Sequence, residues 1–170
     1  MRVMNNKGTL PVYLRYYGAH TGRWSGGDGV NWQNFPRGGD IRKAIEAPQG
    51  SALIVLDLSQ IEHLVLNVLA GQWDVVERFK QGDDQYAHIA SGFYGFAISK
   101  STHPVERQFG KVLELASGFG LGPPRLRAIC RAGPMGGKPI ILSEQEANTG
   151  IQTYRSSHPA VVDYWATAGR

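Results

Sequence analysis

A short apolar run that ends at an acidic residue is the feature that most constrains the fold of this chain. Residues 52–56 read ALIVL, follow the turn-forming segment PQGS, and lead directly into Asp57. A continuous apolar run of this length favours a strand that is buried on both faces. Ser59 and Glu62 then stand in the spacing of a capping box, the reciprocal pair of hydrogen bonds that begins many helices. The sequence therefore predicts a carboxylate where a buried strand gives way to a helix.

The rest of the chain indicates helices after this strand and loops before it. Helices are predicted over 60–70 with an end at Gly71, over 72–80, from Asp84, through STHPVERQFGKVLELASGFG, over the basic segment RLRAICRAG, and in a last segment broken near Pro159. Thr102 or His103 is expected to cap the fourth of these helices, with Pro104 in its first turn. Residues 9–17, TLPVYLRYY, suit a strand, and a long loop rich in glycine and tryptophan follows. The predicted fold class is α/β (α+β).

The composition bounds the classes of function. A chain of 170 residues is long enough for one domain or two small lobes with a real core. Its net charge of +4 permits a polyanionic partner without requiring one. The single cysteine, Cys130, excludes an internal disulfide and favours a reducing compartment. Because no apolar run approaches the roughly 18 residues of a membrane span, and no continuous apolar core marks a secretory signal, we expect a cytoplasmic protein with no membrane partner.

Asp57 admits two interpretations. Ligand sites in α/β sheets gather at the carboxyl ends of strands, and a buried carboxylate there needs a cation or several hydrogen bonds. Mg²⁺ is the natural cation, since it binds one or two carboxylates together with substrate phosphates. The alternative is that Asp57 only caps the following helix. The pattern of residues leaves both interpretations open.

Arg107, Lys111, Leu115 and Phe119 are spaced four apart and form one stripe on the predicted helix. Two like charges at this spacing repel each other by a few tenths of a kcal/mol, on the order of 0.2–0.5. A bound triphosphate would offset that repulsion, because Arg grips phosphate in a fork and Lys acts as a point charge. Phe119, flanked by glycines, would then stack on a base or sugar. The alternative is a polar helix face that is simply solvated.

Three motifs in this order resemble the DNA polymerase I family (family A), and its bacteriophage branch more than its cellular one. The motifs are TGRWS…NWQN, then DLSQIE, then RQFGK followed by FG, and the resemblance covers about residues 13–165. It implies part of a right-hand polymerase fold, with a palm strand segment followed by mostly helical fingers. Residues 1–80 would be the N-terminal part of the palm with the primer-template loop and the metal-binding strand, 81–153 the fingers, and 154–170 the start of a return to the palm.

The resemblance also implies roles for individual residues in metal and nucleotide binding. Asp57 would hold both catalytic Mg²⁺ ions. Arg107 and Lys111 would hold the triphosphate, and Lys111 would also give a proton to the leaving pyrophosphate. Glu62 would sit beneath the incoming sugar and exclude a ribose 2′-hydroxyl. The remaining residues implied to bind the dNTP are Ser59, Gln60 and Phe119.

Contacts with primer-template DNA are implied for Arg23, Gln33 and Asn34 in the loop and for Gly120 beside the fingers helix. Backbone and minor-groove contacts of this kind carry little sequence information. Three positions depart from the family pattern. Leu115 and Leu58 replace aromatic residues, and Tyr86 stands where cellular members have a histidine near the phosphates, so that role is carried over only weakly.

A third family motif, His-Asp-Glu, supplies the second metal-binding carboxylate, and the sequence contains no His-Asp pair. Two-metal phosphoryl transfer needs carboxylates for both ions, so we expect negligible polymerase activity from this chain alone. The parent reaction is template-dependent addition of dNTPs to a primer 3′ end, in a bacterial or phage-infected cell. Open alternatives are one subunit of a split polymerase with a second chain supplying the rest of the palm and thumb, an incomplete gene, or a non-catalytic DNA- or nucleotide-binding remnant. A protein-interaction domain is the alternative from another class.

Overall fold

Helices make up most of the described chain, and its one sheet has two short strands. The structure is a computed structural model that describes residues 12–27, 31–34, 40–134 and 137–168. The chain divides into two compact units, Met1–Val55 and Leu56–Arg170. This mixture of a small sheet and many helices confirms the expected α/β (α+β) class.

The first unit contains a small antiparallel hairpin. Strand β1 (Leu14–Arg15) pairs with strand β2 (Ser25–Gly26) in the register Leu14 to Gly26 and Arg15 to Ser25. A 3₁₀ helix at Trp32–Asn34 and a short helix α1 at Asp40–Lys43 follow. The strand predicted over 9–17 is therefore formed only at β1, and its residues 9–11 lie outside the described part.

The second unit is helical throughout its regular elements. The helices are α2 (Ile61–Ala70), α3 (Trp73–Lys80), α4 (Gln85–Tyr94), α5 (Pro104–Ser117), α6 (Pro123–Arg131), α7 (Glu144–Ser157) and α8 (Pro159–Ala168). All the predicted helices are confirmed, including the break at Pro159. None of the helices in the described ranges is long and apolar enough to cross a membrane.

The strand predicted over 52–56 is not formed. Residues 51–58 have no regular secondary structure, and the side chains of Ile54, Val55 and Leu56 are 81%, 88% and 90% exposed. A strand needs a hydrogen-bonded neighbour, and the two strands in the described residues pair with each other. The prediction of a strand that is buried on both faces is therefore wrong.

Helix α2 begins differently from the prediction and ends as predicted. Gln60, not Ser59, is its N-cap, with φ 53° and ψ 28°, and the side chain of Gln60 makes no capping hydrogen bond. The capping box predicted for Ser59 and Glu62 is therefore wrong. At the other end, Gly71 adopts a left-handed conformation with φ 75°, and its N–H donates to the last turn of the helix. Glycine reaches this conformation without a steric cost, as the C-terminal signal predicted.

A core made by α4, α5, α6 and α7 holds the second unit together. Its fully buried side chains include Phe109 and Leu113 of α5, Leu126 of α6 and Tyr154 of α7. Phe109 also contacts the ring of Phe93 of α4, at 4.7 Å between centroids. This packing fixes which side of α5 faces the interior and leaves the opposite side for the Arg–Lys stripe.

Candidate nucleotide-binding site

Arg107 and Lys111 lie on one side of α5, one helical turn apart, as their spacing predicts. Both residues are half-buried, whereas Phe109 and Val112 of the same helix are fully buried in the core. Lys111 has no ion pair with any residue that the structure describes. The helix therefore presents two cations at a surface, and one of them is not neutralised by a carboxylate.

The ring of Tyr86, near the start of α4, lies beneath both cations. The guanidinium carbon of Arg107 is 5.3 Å from the ring centroid, and the ammonium nitrogen of Lys111 is 5.9 Å from it. At these distances the negative face of an aromatic ring attracts a cation. Burial, together with the negative charge of Glu114, raises the pKa of Tyr86, so its hydroxyl stays protonated at neutral pH. Tyr86 thus holds both cations without neutralising either.

Asp84 connects the start of α4 to Arg107. One of its oxygens accepts a hydrogen bond from the backbone N–H of Ala87 at 3.2 Å and so caps α4. The other oxygen accepts from Nε of Arg107 at 2.5 Å. The two side chains are 31% and 20% exposed, so the pair is accessible from solvent. Within the described part of the chain, only Nε of the guanidinium is engaged, and the rest of its fork is available to an anion.

Gly110 allows α4 and α5 to approach at this point. A Cβ atom at position 110 would collide with the carbonyl oxygen of Tyr86 and would lie 2.9 Å from the Cβ of Ala90. Contacts below 3.0 Å are essentially never seen for a real Cβ, so something must shift. The glycine within RQFGK therefore sets the distance at which Tyr86 meets Arg107 and Lys111.

The end of α5 projects an aromatic side chain into solvent. Phe119 is 82% exposed, and Gly120 follows it with φ +72°, where a Cβ atom would meet no described atom within 4 Å. The indole N–H of Trp165 donates to the carbonyl of Gly118 at 3.1 Å and so anchors this turn. Leu115 is half-buried on the same stripe. Phe119 is thus free to meet a flat ligand face, as the sequence interpretation requires.

The segment DLSQIE has two exposed carboxylates and one unusual backbone conformation. Asp57 and Ser59 are exposed, and Glu62 is exposed in the first turn of α2. Gln60 has a positive φ, and its side-chain oxygen is buried without a hydrogen-bond partner among the described residues. Positive φ is uncommon for residues other than glycine, and such strain gathers at functional sites.

The Mg²⁺ expected at Asp57 does not find a complete set of ligands in the described chain. Asp57 has no polar partner there and belongs to no group of three residues that could hold a metal. A two-metal site needs carboxylates that hold both ions in line. The residues present therefore do not fit a two-Mg²⁺ site by themselves.

The expected DNA-contacting residues belong to the first unit. Arg23 and Gln33 are exposed, and the backbone N–H of Gln33 donates to the side chain of Asn31 at 3.1 Å. Asn34 ends the 3₁₀ helix, and its side chain lies outside the described part. Beside β2, Trp24 contacts the ring of Tyr16 edge-on at 5.2 Å. The unit thus exposes an arginine and aromatic rings together on one hairpin.

Sequence reasoning missed three parts of this region. The sequence predicts Asp84 only as the start of a helix. Its ion pair with Arg107 has no local signal, because the two residues are 23 positions apart. Gly110 carried a usable signal, since a glycine inside a helical pattern commonly has a packing reason. The buried group His63, Glu114 and His158 had no signal, because its members come from three separate segments.

Comparison with known proteins agrees with the resemblance. The sequence profile of the family described as DNA polymerase family A matches residues 2–169. A thermostable DNA polymerase I from Thermus thermophilus is 32% identical over 158 residues, which are 91% of this chain and 18% of that protein. A DNA polymerase I from Lactococcus lactis is 26% identical over 171 residues, covering 93% and 18%. One from Mycobacterium bovis is 30% identical over 151 residues, covering 86% and 15%. The chain thus spans under a fifth of the length of these relatives.

Proposed function

The chain belongs to DNA polymerase family A, and on that premise we propose that α5 and the start of α4 bind the triphosphate of an incoming dNTP. The observation that carries this proposal is the pair of cations, Arg107 and Lys111, held over the ring of Tyr86 at 5.3 and 5.9 Å. Arg107 would grip two phosphate oxygens in its fork, and Lys111 would act as a point charge. Lys111 would also release a proton to the departing pyrophosphate.

Asp84 acts on Arg107 before the nucleotide arrives. Its carboxylate holds the guanidinium through Nε, and the terminal nitrogens would bind the phosphate oxygens. A triphosphate that binds those nitrogens therefore meets a side chain whose rotamer is already chosen. Fixing a long side chain in advance saves an ordering cost of about 0.5–1.5 kcal/mol.

Primer-template DNA is proposed to bind along the first unit, through Arg23, Gln33 and Asn34, and beside Gly120 of the second unit. Contacts of this kind follow the phosphate backbone and the minor groove, so they position a duplex without reading its sequence. Phe119 is proposed to stack on a base at the templating position, which its 82% exposure permits. We propose residues 1–80, 81–153 and 154–170 as part of the palm, the fingers and the start of a return to the palm.

The parent reaction proposed for this family member is attack of a primer 3′-hydroxyl on the α-phosphate of a dNTP, with loss of pyrophosphate, during DNA replication. Asp57 would contribute one carboxylate to that chemistry, and Glu62, Ser59 and Gln60 would surround the sugar. Because the described residues do not complete a two-metal site, we propose that this chain alone binds nucleotide but does not extend a primer. A second chain or a further segment would have to supply the missing carboxylate.

Nucleotide binding is tested by titrating the whole chain with a fluorescent dNTP at low and high salt. We expect Arg107→Ala and Lys111→Ala each to weaken binding by at least tenfold, since each removes a charged phosphate contact worth about 1.5–3 kcal/mol. Arg155→Ala is the matched control, because Arg155 is exposed on α7, and it should bind like the wild type. Equal affinity in all four proteins would contradict the proposed site.

Catalysis is tested by primer extension with dNTPs and Mg²⁺, with wild type and Asp57→Ala compared side by side. We expect no extension by either protein. Extension that is lost in Asp57→Ala would show a working minimal polymerase and would overturn the proposed inactivity. In the alternative reading as a non-catalytic binding remnant, DNA affinity survives loss of Asp57, and a gel-shift assay on the same two proteins measures that directly.

A further inference from the structure

Three residues that could bind a metal meet inside the second unit, at a buried position of α5. They are His63 of α2, Glu114 of α5 and His158, which lies between α7 and α8. Their side chains are 1–3% exposed. Glu114 lies three residues after Lys111 and therefore on nearly the same side of the helix, but it is fully covered at 2% exposure, whereas Arg107 and Lys111 are only half-buried.

One carboxylate oxygen of Glu114 approaches both imidazoles. Its Oε1 lies 3.2 Å from Nδ1 of His63 and 3.0 Å from Nε2 of His158. One potential ligand atom from each residue can be chosen so that all three lie within 4.8 Å of one another. Ligands bound to one tetrahedral Zn²⁺ at about 2.0–2.1 Å lie roughly 3.3 Å apart. The two shorter separations already match that spacing, and a modest movement of one imidazole would complete it.

The hydrogen bonds of His158 leave a lone pair facing this oxygen. Nδ1 of His158 is 3.1 Å from the backbone carbonyl of Tyr154, and only a protonated nitrogen can donate to a carbonyl. In the neutral ring Nε2 then carries a lone pair, and this atom has no hydrogen-bond partner among the described residues. Two lone pairs 3.0 Å apart repel each other unless a cation lies between them. Metal-binding histidines commonly donate their other ring N–H to a carbonyl in this way.

Other polar atoms around the group are also unsatisfied. Oε2 of Glu114, the hydroxyl of Tyr154 and the hydroxyl of Ser117 are buried and have no hydrogen-bond partner in the described part of the chain. Tyr154 stacks on His158 with 4.3 Å between ring centroids. Each unpaired buried polar atom costs about 1–3 kcal/mol. The number of such atoms around this group therefore indicates that a bound ligand, which would satisfy some of them, is missing.

The negative charge of Glu114 also indicates that a cation is missing from this group. An ionised carboxylate removed from water requires a paired cation, and no Lys or Arg of the described residues pairs with Glu114. Two imidazoles and one carboxylate suit Zn²⁺ and related transition ions, whereas Mg²⁺ prefers oxygen ligands alone.

We propose that His63, Glu114 and His158 bind one divalent transition ion, with Zn²⁺ as the natural occupant. The ion would join the helix that follows DLSQIE, the helix that carries Arg107 and Lys111, and the turn between α7 and α8. The proposal does not depend on the proposed nucleotide binding, and it concerns a different place from Asp57. The second oxygen of Glu114 or a water molecule would occupy the fourth ligand position, as in other three-residue zinc sites.

The test uses the whole chain, purified without a histidine tag and stripped of metal with a chelator. Titration with Co²⁺ is followed by visible absorption, since a tetrahedral Co²⁺ site has characteristic ligand-field bands, and Zn²⁺ is then added in competition. We expect absorption bands that saturate at one Co²⁺ per chain and disappear when Zn²⁺ is added. We also expect the melting temperature of the chain to rise with Zn²⁺ and to fall with chelator. These measurements on the wild type need no variant that folds.

Substitutions of single residues test which side chains bind the metal. Glu114→Gln and His158→Gln should abolish the bands at one equivalent of Co²⁺, and His88→Gln, at an exposed histidine of α4 outside the group, should keep them. Absence of saturable bands in the folded wild type would overturn the proposal and would mean that a proton on an imidazole balances Glu114. Bands that persist in folded Glu114→Gln, or that are lost in His88→Gln, would overturn the assignment to these residues.

Discussion

At the scale of single residues, Gln60 is the clearest departure from ordinary backbone chemistry. It adopts φ 53° at the start of α2, a conformation that costs an L-residue with a side chain roughly 1–2 kcal/mol. Its buried side-chain oxygen adds an unsatisfied polar atom. Neither feature stabilises the helix, so the conformation of Gln60 is a local cost at the start of α2.

Replacing Gln60 by glycine tests this account of strain. Glycine adopts positive φ freely, so Gln60→Gly should raise the free energy of unfolding by about 1 kcal/mol, as measured by urea denaturation. Gln81→Gly is the matched control, because Gln81 ends α3 with φ −74° and gains nothing from glycine. A Gln60→Gly protein that is less stable than the wild type would show that its side chain makes a stabilising interaction.

At the scale of secondary-structure elements, the contact between α4 and α5 depends on the absence of a side chain at Gly110. Gly110→Ala should lower the free energy of unfolding by about 1–3 kcal/mol, because the new methyl group overpacks against the backbone of Tyr86. This loss exceeds the roughly 1 kcal/mol that alanine gains over glycine as a helix former. Guanidinium denaturation measures the difference.

Gly92→Ala is the control for Gly110→Ala. Gly92 lies inside α4, and a Cβ there would meet only the Thr153 methyl group at 3.6 Å, which is ordinary van der Waals contact. We therefore expect Gly92→Ala to stabilise the chain by up to about 1 kcal/mol. If both substitutions changed stability in the same direction, the close approach at Gly110 would not be the cause.

The start of α7 is held by a true capping box, unlike the start of α2. The Ser143 hydroxyl accepts from the backbone N–H of Glu146 at 3.1 Å and donates to its carboxylate at 2.7 Å. Ser143→Ala should cost about 1 kcal/mol at pH 7, and Ser156→Ala, at an exposed position late in the same helix, should cost little.

The pH dependence of this cap follows from Glu146. Hydrogen bonds from the side chain and backbone of Ser143 hold the pKa of Glu146 below its ordinary value of 4.5. A folded-state pKa that is lower than the unfolded one stabilises the fold above pH 4.5, and this stabilisation is lost as the pH falls through the folded pKa. The stability difference between wild type and Ser143→Ala should therefore shrink in acid. A difference that is constant down to pH 3 would contradict this role of the carboxylate.

At the scale of the whole molecule, the sequence predicted the helices better than it predicted burial. Residues Gly71, Asp84 and Pro159 carry local signals for helix ends, and the structure places helix ends at all three. The burial of residues 52–56 depends on partners distant in the chain, which periodicity does not reveal. The pairing of Asp84 with Arg107 could not be predicted for the same reason, since the two residues are distant in the chain. The four-residue spacing of Arg107 and Lys111 is a local signal and was enough to place both on one helix face.

The exposed apolar run has a consequence for solution behaviour. Leu53, Ile54, Val55 and Leu56 are 61–90% exposed, and exposed apolar segments of this kind promote association. We expect the chain to self-associate in sedimentation velocity as its concentration rises, and Ile54→Lys with Leu56→Lys to reduce that association. Val12→Lys is the control, at an exposed apolar residue outside the run. A wild type that stays monomeric and unfolds cooperatively would contradict this expectation.

The missing side chain at Gly110 also bears on motion. Where backbone meets backbone there is no rotamer to absorb a displacement, so α4 and α5 should move as one rigid body on the microsecond to millisecond timescale of collective motions. Any swing of Arg107 and Lys111 toward a nucleotide would then carry Tyr86 and Asp84 with it. The bending would fall on the glycines at either end of this pair, Gly82 and Gly120, both of which already adopt positive φ.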